Sequence, residues 1–283
     1  MQARTFERAG EFLARVQTSL EREETANSLL LGIALSLKEP GEPLQAPPLF
    51  LVVEENKAPR AAVVMTPPRG VVLWADDTAC IDAMACAARR IHADGWATSG
   101  ALGRTGPAKA FAEAWTRISG QPHREKARLR VHELRRVNRV QSAPGRARFA
   151  THEDLEVAAG WVAAFRAEAT GEFVNLDQAR QWTAPRIEHR DVLLWEDGQA
   201  VSMAARVRPT AHSTSIGYVY TPPEFRRRGY ATSCVAALTQ RVLDSGREFC
   251  CLYTDLANPT SNSIYRKIGY LPVCDWAEYI FGA

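Results

Sequence analysis

Nothing in these 283 residues runs apolar for long. No stretch approaches the roughly 18 residues that a bilayer-spanning helix needs, and none reads as a membrane segment. The opening residues, MQARTFERAGEFLARV, are charged and interrupted, without the continuous apolar centre of a secretory leader. A dominant charge is lacking too. The 35 Lys and Arg stand against 32 Asp and Glu, a net of +3, too mild to call for a polyanionic partner such as nucleic acid. None of the six cysteines forms a CxxC pair. Cys80, Cys86, Cys234, Cys250, Cys251 and Cys274 lie mostly in apolar stretches, where a thiol behaves as a small hydrophobe. No His/Cys cluster has metal-ligand spacing. The expectation is a reduced cytoplasmic protein with no metal.

What is present is an ordinary folding composition, 46% hydrophobic and 24% charged. The length allows one large domain or two medium ones. Residues 6–38 carry Phe12, Val16, Leu20, Leu29 and Leu30 at helical spacing, and GEPLQAPP breaks that pattern. LFLVVEE, AAVVMT and GVVLWA read as strands, followed by helices over about 77–92 and 107–118. ARLRVHELRRV alternates apolar and charged residues, as a strand with one wet face does. Its arginines could meet a polyanion over residues 124–148, but a solvated strand edge is the stronger reading. NRVQSAPGRAR reads as a linker, so the domain boundary is placed near residue 143. The second half restarts with the strand ARFAT. Thr151 and Asp154 form a capping pair ahead of a helix running to about Glu168, and a second helix covers about 176–188. DVLLWEDGQAVSMAARVRPT is a hairpin turning at EDGQ. It echoes LFLVVEENKAPRAAVVMTPP at a period of about 140 residues, as two related domains would.

The stretch RRRGYA, residues 226–231, follows the strand SIGYVYT and the breaker PPEF. Ala231, Cys234, Val235, Leu238 and Val242 then form an apolar stripe at helical spacing, which Gly246 is placed to stop. RRRGYA therefore sits at a helix N-terminus, where unpaired backbone N–H groups and the helix dipole attract phosphate. Gly229 lets a ligand approach the backbone, and Arg226 and Arg228 offer charge-assisted bonds. The Walker and GxGxxG signatures are both absent. Downstream come the buried-type strand EFCCLYTD, the loop ANPTSN, the short helix SNSIYRKIGY and the final strand YLPVCDWAEYIF.

In this order the last half of the chain, most clearly Ser215 to Tyr270, resembles the GCN5-related N-acetyltransferase (GNAT) superfamily. The resemblance implies an α/β fold of tandem domains, each a mixed, mostly antiparallel central sheet flanked by helices. Residues 1–143 would be a degenerate copy without the cofactor motif, and 144–283 the acetyl-CoA-binding domain. Arg226, Gly229 and Ala231 match the family's Arg/Gln-x-x-Gly-x-Gly/Ala pyrophosphate motif. By the same resemblance Arg227, Arg228 and Tyr230 complete the cofactor turn, with Arg227 the most solvated. Val219, Tyr220 and Thr221 end the strand whose backbone would bind the pantetheine arm. Asn258 or Asn262 would lie near that arm, though each also reads as a turn or cap residue. Tyr265 matches the usual general acid, and its alternative is a packed core aromatic.

The implied activity is direct acetyl transfer from acetyl-CoA to an amine of a small molecule or peptide in a ternary complex. The alternative is a non-catalytic CoA-binding or regulatory module. Neither a nucleic acid nor a membrane is implied as partner, and the chain would act as a monomer or homodimer. The base is open among Glu172, Asp255, Glu278 and a water chain. His189 and His212 read as surface residues. The acceptor is not named by the fold, and its pocket would draw on residues 160–190 and the first domain.

Overall fold

The structure is a computed structural model describing residues 1–38 and 46–282. The break at GEPLQAPP thus lies mostly outside the described residues. In chain order the first half forms β1 (Gln2–Phe6), α1 (Ala9–Glu21), α2 (Glu24–Ser36), β2 (Leu49–Glu55), β3 (Ala58–Met65), β4 (Val71–Ala75), α3 (Cys80–Ala93), β5 (Gly100–Arg104), α4 (Thr105–Ser119) and β6 (His123–Leu134). The second half forms β7 (Arg146–Phe149), α5 (Leu155–Thr170), α6 (Leu176–Glu188), β8 (Val192–Asp197), β9 (Gln199–Pro209), β10 (Ser213–Tyr220), α7 (Tyr230–Asp244), β11 (Phe249–Asp255), α8 (Pro259–Ile268) and β12 (Leu271–Phe281).

These elements group into two compact units. Unit 1 holds Met1–His132 together with Tyr253–Asn258 and Pro272–Ala283, and unit 2 holds Glu133–Leu252 and Pro259–Leu271. This division differs from a single cut near residue 143. Sheet membership follows hydrogen bonding rather than chain order, so the C-terminal strand is assigned to the first unit.

In unit 1 the strands run β1-β2-β3-β4-β5-β12-β6. β4 and β5 are parallel, while β12 pairs antiparallel with β5, Tyr279 opposite Ala101. The apolar runs read from the sequence are buried on both faces. Leu51, Val63 and Leu73 belong to the core under α3 and α4, and their neighbours Val52, Val64 and Val72 to the core under α1 and α2. Alternate residues of a strand point to opposite faces, so only a sheet covered on both sides needs every position apolar. Each such side chain contributes about 1.5–3 kcal/mol by leaving water.

In unit 2 the order is β11-β10-β9-β8-β7, antiparallel from β10 to β7. β8 divides in the same way. Leu193 and Trp195 pack with α7 residues, Val192 and Leu194 with residues of α5 and α6. Arg148 on β7 grips Asp154 through two bonds of 2.6 and 2.8 Å. Asp154 also accepts from the Thr151 backbone at 2.8 Å, closing the turn that leads into α5.

Two local readings are corrected. The helical stretch expected over 6–38 is two helices, α1 and α2, with Phe6 closing the strand β1. The break is fixed by Asn27, whose buried side-chain amide donates to the Leu20 carbonyl at 2.9 Å and satisfies the end of α1. The strand β5, GALGR, is invisible to strand propensity because of its two glycines. The reason is close backbone approach, since a Cβ at Gly100 would lie 2.2 Å from the Tyr279 carbonyl oxygen. Gly100→Ala should therefore push β5 away from β12. We expect a loss of about 1–3 kcal/mol, read as a lower urea midpoint, and a midpoint equal to wild type would contradict this packing.

Candidate functional site

β10 pairs in parallel with β11 through only three residues, Ser213, Thr214 and Ser215 against Phe249, Cys250 and Cys251. β10 then continues to Tyr220, leaving its parallel neighbour behind. On its other edge the register with β9 shifts between Gly217 and Tyr220. Three steps along β10 there match two along β9, which is a β-bulge. Tyr218 sits at φ 50° in that bulge, a left-handed backbone that a bulky side chain seldom adopts. Its ring packs on Trp182 at 3.9 Å and Phe165 at 5.1 Å, centroid to centroid. Tyr220 packs beside Trp161 and donates its hydroxyl to Glu168 at 3.0 Å. Val219 faces the core beneath α7.

Thr221 ends the strand, its hydroxyl 2.9 Å from that of Ser202. A single turn of 3-10 helix, Pro223–Phe225, leads into the basic segment. Arg226, Arg227, Arg228 and Gly229 are all exposed. Arg226 is not a free cation. Its Nε donates to the Thr221 carbonyl at 2.8 Å and its Nη2 to Glu168 at 2.7 Å, so its side chain clasps the turn. Arg227 holds φ 63°. The hydroxyl of Tyr230 donates to Asp197 at 2.6 Å. That carboxylate bond, with burial, raises the Tyr230 phenol above its ordinary value. The Tyr230 ring is buried, leaving only its backbone to face the helix end.

Gly229 is the N-cap of α7, at φ 83°, with no side chain to bond the helix end. A Cβ there would be strained by that φ, although its nearest neighbour, the Ala143 methyl, is 3.7 Å away. The first bond of the helix runs from Ser233 N–H to Gly229 O at 3.0 Å. The N–H groups of Tyr230, Ala231 and Thr232 precede it and have no partner within the helix. Uncapped N–H groups, the helix dipole and nearby arginines are features that favour an anion at a helix end.

Tyr265 lies on α8, buried at 9% exposure, with its ring edge-on to Tyr270 at 5.9 Å. Burial alone lifts its phenol far above the usual range, so it holds its proton. Asn258 immediately precedes α8, its N–H bonded to Asp255 O at 3.0 Å, while Asn262 lies within the helix. Both asparagines already make polar contacts in the protein. Of the three carboxylates considered as base, Glu172 is ion-paired with Arg166. Asp255 accepts from Ala257 N–H at 2.8 Å. Glu278 is in unit 1, 3.0 Å from Lys126. His189 and His212 are exposed.

The basic stretch on β6 and β7 is neutralised locally: Arg128 pairs with Glu125, Arg130 with Asp275, and Arg146 with Glu196. The turn after β4, the counterpart in unit 1, differs chemically from the one before α7. There Asp76 accepts from the N–H and hydroxyl of Thr78 at 3.1 and 2.8 Å. Those bonds hold its carboxyl below the usual range, so a fixed negative charge already occupies that helix end. Sequence reasoning missed Glu168, Arg166, Trp182 and Asp197. Each is an ordinary helix or turn residue by pattern, and only the fold gives it its partner.

Residues 196–279 match the family model described as FR47-like protein. No curated protein matches the chain. Solved structures similar to it share its fold over the full length. A Drosophila protein aligns with TM-score 0.70 at 13% identity, over 99% of this chain and 98% of that one. A GNAT-family acetyltransferase from Colwellia psychrerythraea aligns with TM-score 0.61 at 13% identity, over 99% of both chains. A tandem GNAT protein from the clavulanic acid biosynthesis pathway aligns with TM-score 0.58 at 14% identity, over 100% of this chain and 99% of that one. Among the described residues no helix is long and apolar enough to cross a membrane, and no cluster of His, Cys, Asp and Glu could hold a metal ion.

The part-buried Tyr230–Asp197 bond predicts the effect of Tyr230→Phe. We expect a lower midpoint in chemical denaturation, with anion affinity at the helix end retained. A loss of anion affinity would mean that the hydroxyl, not the backbone, serves the site.

Proposed function

We propose that this chain, which has the tandem GNAT fold throughout, is an N-acyltransferase that moves an acetyl group from acetyl-CoA to an amine. The observation that carries this reading is the uncapped N-terminus of α7 behind left-handed Gly229, beside a strand that leaves its parallel partner. The residues fit the donor. The N–H groups of Tyr230, Ala231 and Thr232 would hold the pyrophosphate, with Arg228 and Arg227 adding charge. Arg226, through Glu168 and Thr221, keeps the turn in shape. The backbone from Val219 to Thr221, at the end of β10, would align the pantetheine arm, with Asn262 on α8 as a further contact.

The donor supplies an activated acetyl thioester. The acceptor nitrogen forms the new C–N bond as the C–S bond breaks. Tyr265 gives its proton to the departing sulfur, and the proton lost by the amine returns to Tyr265 through solvent. Burial suits Tyr265 to this task, because a phenol held well above its ordinary pKa is protonated at neutral pH. Holding both reactants in one site removes much of the entropic barrier. A β10 N–H aimed at the carbonyl oxygen would stabilise the charge that develops there.

Unit 1 is assigned no donor site. A carboxylate fixed where a pyrophosphate would bind repels it, and Asp76 stands there with its bonds already made. The chain then acts with one site, in the cytoplasm, as a monomer or homodimer.

Tyr265→Phe decides between a catalyst and a binding module. We expect the turnover number, from thiol release with an amine panel, to fall about 100-fold or more, while acetyl-CoA affinity by calorimetry stays at the wild-type value. Unchanged turnover would remove Tyr265 from the mechanism. Acetyl-CoA binding without thiol release from any amine would leave the binding module. Because the phenol is raised by burial, wild-type turnover should show no loss assignable to Tyr265 below about pH 10, the ordinary tyrosine value. An alkaline limb near pH 8 that vanishes in Tyr265→Phe would contradict the assignment.

A further inference from the structure

Beside the bulge of β10 lies a set of groups that the transfer chemistry above does not use. Arg166, on α5, has only 16% of its side chain exposed. Its Nη1 donates to the Tyr218 hydroxyl at a long 3.4 Å, and its Nη2 bonds Glu172. Its Nε is buried with no hydrogen-bond partner. A guanidinium presents Nε and one Nη as a flat fork that matches the two oxygens of a carboxylate. Here one tine is filled and the other is bare, an unsatisfied buried donor of the kind folded proteins rarely leave.

The group on the filled tine is informative. Glu172 follows Gly171, the left-handed residue that ends α5, and its side chain is 46% exposed. It is a loop carboxylate held by a half-buried arginine. The surroundings are aromatic, with Tyr218 against Trp182 and Phe165. A second cation, Arg186, lies over the Trp182 ring at 4.1 Å. Two arginines beside an aromatic wall would repel a polyamine or other polycation. They suit a molecule with one carboxylate and an apolar or aromatic body.

We propose, resting on the acyltransferase reading, that Arg166 with the Tyr218–Trp182–Phe165 wall selects the acceptor. The acceptor is an amine that also bears a carboxylate and an aromatic or large apolar side chain, in other words an amino acid of that class. Its carboxylate takes both tines of Arg166 and displaces Glu172, which closes the pocket in the free protein. Glu172 is on this account a competitor in cis and not the base.

The test uses the full chain and three probes: L-phenylalanine, phenethylamine, which lacks the carboxylate, and 3-phenylpropanoate, which lacks the amine. Thiol release should favour L-phenylalanine over phenethylamine by about tenfold or more, the value of a charge-assisted bond. Arg166→Gln should abolish that preference by raising the amino-acid KM, leave the acetyl-CoA KM unchanged, and be partly rescued by Arg166→Lys. 3-Phenylpropanoate should change the Trp182 fluorescence, a response missing in Trp182→Phe and weakened about tenfold or more in Arg166→Gln. Glu172→Gln should tighten that binding several-fold, whereas a base at this position would instead lose turnover without gaining affinity. Thiol release that favours phenethylamine, or phenylpropanoate binding indifferent to both Arg166→Gln and Glu172→Gln, would overturn this inference and leave acyl transfer standing. No thiol release from any amine, with Arg166-dependent binding of phenylpropanoate, would overturn acyl transfer and keep the carboxylate pocket.

Discussion

The features of unit 2 that matter most follow from the departure of β10 from β11. Parallel pairing lasts for Ser213, Thr214 and Ser215 and then stops, while β10 runs five residues further. A strand that loses one neighbour must satisfy its backbone elsewhere, with side chains, water or a ligand. The bulge at Tyr218 uses the departure in a second way, adding a residue on β10 so that its ring turns onto α5 and α6. One constraint therefore produces both a bare strand edge toward the helix end of α7 and an aromatic wall toward the helix pair.

The turn that follows is stabilised by bonds between its own side chains and their neighbours. Glu168 accepts from both Tyr220 and Arg226, tying the strand end to the start of the basic turn. Tyr230 anchors the first turn of α7 through Asp197. What remains at the helix end is backbone N–H, and backbone cannot be lost to a side-chain substitution. The turn's fixed requirement is a left-handed N-cap without a side chain.

Much of this was legible in the sequence. The periodicity after RRRGYA placed the helix, and α6 matches its expected span of 176–188. The two-sided apolar runs of β2, β3 and β4 marked strands because propensity and burial agree there. β5 was not legible, since its glycines answer to a backbone contact with β12 that lies far away in sequence. The grouping of β12 with unit 1 was hidden for a similar reason, since it depends on pairing between distant segments. At the candidate site, the sequence singled out Gly229, whose type its left-handed backbone demands. It could not find Glu168 or Asp197, because a carboxylate on a helix or a hairpin turn has no distinguishing pattern until its partner is known. Nor could it show that Arg226, expected at the phosphate, also bonds the Glu168 carboxylate in the fold.

The two units make a comparison that depends on one side chain in each. Ahead of α7 the helix end is capped by Gly229, and its N–H groups have no internal partner. After β4 the turn is capped by Asp76, whose carboxylate takes the N–H of Thr78. An aspartate cap favours the fold by supplying the acceptor that a helix end lacks, and a glycine cap forgoes part of that stabilisation. A helix end can be satisfied from within or left for an anion, but not both. Unit 1 has the internal solution and unit 2 the open one. The same exchange recurs at Arg166, where Glu172 fills half of a guanidinium fork from within and leaves the other half bare. Incomplete internal satisfaction of strong donors is thus a physical trait that the helix end of α7 and Arg166 share.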